Sequence, residues 1–403
     1  MMQPRHERLS FVYVSLAMLT VGTLLAETGA SLGLLVRQLD LSPTQQGNLV
    51  SARFFGGVVF GLLLWIRAST ISLGRWMQAT LLLTVVAGAL LAVEGYWAAY
   101  LGALIRGFSA GFVIPAAGVY ASGQERWNAG TVAAAVNAAL SAGLVAVSAF
   151  ALVISGVSGV LWQWYWMAGP ALAVPTLILG AMGGAAIVPL PVPPASPGQR
   201  VKKLLRGTRW RFALAAFFTV GTESVLFGLI PRLSETIAAG GTGSKISAFS
   251  WTTEQYALAV MVGVLVGRIV GTRVLRRVAA SRILLISAAG LVLFGVMWSV
   301  APPALVAVAA LGFGLATANF FPALVGAVSE ELGPTAPTTV ASMGWTGASG
   351  GTIIPPIIGL GITVGLPVAW MGVVAVVPSV LAVAVSLSPG KNRGPAASNT
   401  EQY

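Results

Sequence analysis

Long apolar stretches, each near the ~20 residues needed to cross a bilayer as a helix, recur along almost the whole of this 403-residue chain. Charged, Pro-rich and Gly-rich breaks divide it into twelve candidate spans: 10–36, 44–66, 76–94, 97–121, 130–155, 162–188, 210–237, 254–273, 283–300, 304–329, 338–364 and 368–388. Only 8% of residues are charged against 56% hydrophobic, and the mean hydropathy is +0.86. Soluble proteins carry about 25% charged residues. A soluble fold of this composition would lack the polar groups to cover its own surface, so the expected fold class is an all-α membrane protein. The apolar stretch following MMQPRHERLS has no small-residue cleavage site, and is expected to be a retained first span.

Orientation follows from the positive residues. If the N-terminus is cytoplasmic, seventeen of the 23 Lys and Arg fall in cytoplasmic segments. Three (Arg37, Arg232 and Lys245) fall outside, and three more within spans. That asymmetry satisfies the positive-inside rule and predicts an inner (plasma) membrane protein with both termini in the cytoplasm. It also explains the net charge of +12 without a nucleic-acid partner. A basic, Pro-rich linker separates six spans from six, giving expected units at 1–188 and 210–388, a linker at 189–209 and a disordered tail at 389–403.

The halves share short matches in the same order. Thr20 to Thr23 reads TVGT in the first span, and Thr219 to Thr222 repeats it in the seventh. Arg53-Phe-Phe-Gly56 in the second span answers Arg268-Ile-Val-Gly271 in the eighth. Two pseudo-symmetric six-helix bundles are therefore expected, a plan in which solute sites form near the bilayer midplane between repeats.

Ionic residues inside spans are costly and mark functional interiors. Here they are Glu27, Arg53, Arg106, Glu223 and Arg268. A carboxyl group balanced between desolvation and a nearby arginine can take up and release a proton, so Glu223 and Glu27 are candidate proton carriers. The alternative is a permanent pairing that ties helices together. Arg53 and Arg268 present planar forks suited to an anion; each could equally pair with Glu27 or Glu223, or bind helix carbonyls. Arg268 lies nearer the cytoplasmic end and could extend to the interface. Asn137 and Asn319 are candidate hydrogen-bonding ligands or helix–helix links. Trp345 could stack on a sugar ring, whereas most other tryptophans suit the interfacial belt. Pro355 and Pro356 are expected to break the eleventh helix and act as a hinge.

The chain resembles the major facilitator superfamily over nearly its whole length. The features are twelve spans in a 6+6 division, a basic central linker, and IRGFSAGF at Ile105 to Phe112, similar to the family's fourth-span arginine motif. That resemblance implies a proton-coupling role for Arg106. VGTE ending at Glu223, VGRIVG around Arg268, and GFGLATANFFPALVGAVSEE resemble the fucose-permease-type sugar porters. The second-to-third-span loop, GLLLWIRASTISLGRW, lacks the acidic residue usual in the family.

No phosphate-binding loop, HExxH or Cys/His cluster is present, the chain has no cysteine, and its one histidine (His6) lies in the polar N-terminal tail. An enzyme, a bound cofactor and a metal site are not expected. The expected activity is secondary transport by alternating access: proton-coupled uptake of a sugar-like small molecule by a monomer, with the lipid bilayer as its surroundings. Two alternatives stand beside it: an anion (organic acid or nitrate-like) porter using Arg53 and Arg268, and a non-transporting membrane sensor, which would call for a soluble output region.

Overall fold

The computed structural model describes residues 4–67, 71–124, 128–155, 157, 159, 161–184, 197–205, 209–238, 251–300, 302–367, 376–377 and 379–384. The twelfth expected span falls largely outside these residues, as do most of the linker, the tail, and the side chain of His6.

The described elements are helical throughout. The first half comprises α1 (Pro4–Leu39), α2 (Pro43–Arg67), α3 (Leu73–Ala87), α4 (Tyr96–Ser122), α5 (Ala129–Ser155), α6 (Trp162–Trp166) and α7 (Ala168–Leu179). A short linker helix, α8 (Pro197–Leu205), leads to the second half. That half comprises α9 (Arg209–Gly228), α10 (Ile230–Ala238), α11 (Thr253–Val274), α12 (Ala280–Val300), α13 (Pro303–Thr317), α14 (Phe320–Leu332) and α15 (Ala336–Thr363). Among the described residues, ten segments are long and apolar enough to cross a bilayer, and one of these, Leu305–Thr363, joins the tenth and eleventh expected spans.

Polarity is distributed inside out. Large apolar side chains face outward, among them Ile286 (68% exposed), Leu293 (62%) and Val153 (74%). Meanwhile Glu27, Arg53, Arg106 and Arg268 are each at most 2% exposed. Lipid satisfies such an exterior, and water would not. The protein is a multi-pass integral membrane protein.

Matching helix pairs build the two halves. Within the first, α1 packs on α5 and α2 on α4; within the second, α9 packs on α15 and α11 on α13. Glycine permits this closeness where backbones touch. A Cβ added at Gly107 on α4 would fall onto the Arg53 carbonyl of α2, and one at Gly314 on α13 onto the Val260 carbonyl of α11. In membranes, such small-residue contacts supply the packing that the hydrophobic effect cannot. The halves meet where α2 runs along α15 and α5 along α11.

Three expected single spans are interrupted. The sixth breaks at Met167, between α6 and α7; the seventh at Leu229, between α9 and α10; the tenth at Ala318–Asn319, between α13 and α14. The expected break at Pro355–Pro356 does not occur: α15 is helical through both prolines. Pro356 removes the N–H that would have bonded the Thr352 carbonyl. The hydroxyl of Ser51, on α2, donates to that carbonyl at 2.7 Å, repairing the ladder from the opposite half.

Candidate functional site

Between the halves lies a cavity of about 70 Å³. Helices α1, α2, α4 and α5 line one side, and α9, α11, α14 and α15 the other. Eighteen residues line it, and four carry polar side chains: Arg53, Asn137, Glu223 and Arg268. Phe54, Phe227, Phe321 and Met343 make much of the remaining wall. Because both halves supply its walls, relative motion of the halves would open it to one side or the other.

Arg53 projects from α2 and is 2% exposed. Its Nη1 donates to the Leu24 carbonyl at 3.2 Å and also to that of Leu25, while Nε has no partner. Glu223, on α9, has a buried carboxylate oxygen, Oε1, with no hydrogen bond. Asn137, on α5, turns its amide NH₂ back onto the Ala133 carbonyl at 2.8 Å.

Arg268 does not extend to the interface. Its Nε donates to the Ala318 carbonyl at 3.1 Å, and its Nη1 to the Asn137 carbonyl (3.1 Å) and the Ser141 hydroxyl (2.8 Å). Ala318 lies four residues before Pro322, so its carbonyl lacks the normal helical donor. Arg268 thus satisfies a carbonyl freed by proline and ties α11 to α5 of the other half.

The same logic governs the Glu27–Arg106 pair, whose residues lie outside the cavity wall. Trp166 lies four residues before Pro170, and its freed carbonyl accepts from Arg106 Nη2 at 2.9 Å. On the other side of the break, Gly169 N–H at the start of α7 donates to Glu27 Oε1 at 2.8 Å. A carboxylate at a helix N-terminus and a guanidinium on a helix C-terminal carbonyl both complement the helix dipole. The two side chains then face each other, Arg106 Nη1 lying 3.7 Å from Glu27 Oε2, with the guanidinium 4.7 Å from the Trp166 ring centroid. Glu27 is therefore paired with Arg106, the residue in the fourth span, and not with Arg53.

Asn319 and Trp345 also lie off the cavity wall. Asn319 sits at the α13–α14 break and donates to the Gly267 carbonyl at 2.8 Å, packing against Gly271. Trp345 pairs with Trp65 across the α2–α15 interface, with ring centroids 5.8 Å apart. The structure thus gathers Arg53, Asn137, Glu223 and Arg268 into one cavity and distributes Glu27, Arg106, Asn319 and Trp345 around it. Ser51 and Ser141 were not singled out by sequence, since an isolated serine in a span carries no distinguishing pattern. The signal for Arg106 and Arg268 was a proline four residues beyond a carbonyl.

Two helical halves enclosing a shared interior cavity define a membrane carrier. Residues 10–356 match the sequence profile of the Major Facilitator Superfamily, and the chain belongs to that family of transporters, whose members bind small-molecule substrates. No curated protein matches it in sequence. Its fold is similar to that of the E. coli fucose:proton symporter FucP, at 18% identity and a TM-score of 0.62, covering 94% of this chain and 98% of that one. It is also similar to the proton:xylose symporter XylE bound to 6-bromo-6-deoxy-D-glucose, at 13% identity and a TM-score of 0.72, covering 96% and 97%. The nucleoside transporter NupG aligns at 14% identity with a TM-score of 0.67, covering 94% and 98%.

Proposed function

We propose that this protein is a proton-coupled secondary transporter of a small organic solute, working by alternating access in the inner (plasma) membrane with both termini cytoplasmic. The observation that carries this reading is Glu223, a carboxyl group on the wall of the inter-half cavity with an oxygen bonded to nothing. A buried oxygen of that kind is costly unless something else binds it in the cycle. A proton taken from one side and released to the other meets that need. Glu27 Oε2 also lacks a hydrogen bond among the described residues, but it is ion-paired with Arg106 at 3.7 Å while Oε1 accepts from Gly169 N–H, so Glu27 is the weaker candidate.

A sugar-like solute finds support in the fucose and xylose symporters that share the fold. The anion reading finds support in the cavity itself, whose wall carries two guanidinium groups against one carboxyl. The test of proton coupling uses proteoliposomes loaded with a pH-sensitive dye and exposed in turn to sugars and carboxylates. The wild-type protein should move protons with its solute. Glu223→Gln should abolish that proton movement yet retain solute counterflow; full proton movement by the variant would refute the assignment.

A further inference from the structure

We infer that the solute is an amphipathic monoanion: one carboxylate on an aromatic or branched aliphatic body, its charge seated at Arg53. This rests on the reading of the central cavity as the transport site and deepens it. The argument begins from charge. On the cavity wall two guanidinium groups, Arg53 and Arg268, stand against one carboxyl, Glu223, while Arg106 and Glu27 lie off it. Arg106 takes Glu27 as its ion-pair partner. Glu223 shares the cavity wall with Arg268 and Arg53. Glu27 faces Arg106 and accepts from Gly169 N–H. The cavity wall therefore carries one positive charge in excess, in surroundings where an uncompensated ion is costly. An anion arriving in the cavity supplies the missing charge.

The two cavity arginines are not equivalent. Arg268 commits Nε and Nη1 to Ala318, Asn137 and Ser141, bonds that hold three helices in register. Arg53 lies over the Phe54 ring at 5.6 Å but hydrogen-bonds through Nη1 alone, and its Nε has no partner among the described residues though the residue is 2% exposed. A single available guanidinium suits one carboxylate, not a dianion.

The walls specify the body of the molecule. Fourteen of the eighteen lining residues are apolar or glycine. A buried hydroxyl without a partner loses its hydration with nothing in return, and a sugar ring would present several such hydroxyls to these surfaces. A bare inorganic anion would leave Phe54, Phe227 and Phe321 with nothing to contact. A ring or branched chain ending in one carboxylate satisfies both the walls and the cation.

The experiment is ligand-dependent thermal stabilisation of the purified full chain, with benzoate and 4-methylpentanoate as probes. Benzyl alcohol (the same ring without charge), D-glucose and nitrate serve as comparisons. Saturable stabilisation follows RT ln(1 + [L]/Kd). Benzoate or 4-methylpentanoate should raise the melting temperature saturably and the three comparisons should not. Arg53→Gln should weaken benzoate binding at least tenfold, and Arg53→Lys should recover part of it. Equal stabilisation by benzyl alcohol, D-glucose or nitrate overturns the inference. So does a lack of effect from both carboxylates, or unchanged benzoate binding by Arg53→Gln. Should Arg53→Gln not fold, the ranking of probes on the wild-type chain still decides. Binding is measured without a gradient, so a failure of proton coupling at Glu223 is seen separately from a failure here.

Discussion

Arg106→Met tests whether the Glu27–Arg106 pair holds the broken sixth span in place. The guanidinium makes three contacts: a hydrogen bond to the Trp166 carbonyl at 2.9 Å, an approach to Glu27 at 3.7 Å, and a position 4.7 Å from the Trp166 ring. A hydrogen bond to a charged group contributes about 1.5–3 kcal/mol, and a desolvated cation–π contact about 2. These overlap, so they do not simply add. The governing term is the carboxylate left behind at 1% exposure; removing one member of a buried pair costs about 3–5 kcal/mol. Glu27→Gln keeps an oxygen to accept from Gly169 N–H but leaves the Arg106 guanidinium without its counter-charge, and is likewise expected to cost about 3–5 kcal/mol. The double variant removes both charges, so it should be no less stable than Arg106→Met alone, giving a coupling energy of about 3 kcal/mol or more. Equilibrium unfolding in mixed micelles, followed by far-ultraviolet circular dichroism, measures all four corners of the cycle. If the two single effects sum to the double within about 0.5 kcal/mol, the side chains act independently and the proposed clamp is refuted.

Two further perturbations probe the contact between halves. Ser51→Ala leaves the Thr352 carbonyl, already deprived of Pro356 as a donor, without its 2.7 Å partner. It should destabilise by about 1–3 kcal/mol in the same unfolding assay, whereas Ser51→Thr should be close to wild type. Trp345→Ala removes a ring pair at 5.8 Å that joins α2 to α15, a contact contributing about 0.5–1.5 kcal/mol beyond area burial. The chain has no native cysteine, so a single Met343→Cys reporter can be read by maleimide labelling from each side of the membrane. Trp345→Ala should speed labelling from the side that carries the linker; an unchanged rate would remove Trp65–Trp345 from the closure of that end.

The spans were legible because bilayer thickness fixes a minimum apolar length. The expected 44–66 is Pro43–Arg67, 97–121 is Tyr96–Ser122, and 338–364 is Ala336–Thr363. The Arg-x-x-Gly repeat was also meaningful: Gly56 packs against Gly107 and Phe108 on α4, and Gly271 against Asn319 beside α14. Each glycine thus meets the fourth span of its own half. Partnership among the charges was not legible, because it depends on where helices break. Trp166 and Ala318 have carbonyls freed by Pro170 and Pro322, and a buried arginine answers each; Thr352, freed by Pro356, is answered by Ser51 instead. An intramembrane arginine can therefore be read as repair of a proline break before it is read as a ligand. Applied to Arg53, Arg106 and Arg268, that reading accounts for the last two. It does not account for Arg53, whose acceptors Leu24 and Leu25 lie within the uninterrupted α1 and are followed four residues later by Thr28 and Gly29, not proline. Repair of a proline break does not require that side chain, which agrees with the solute contact proposed for it.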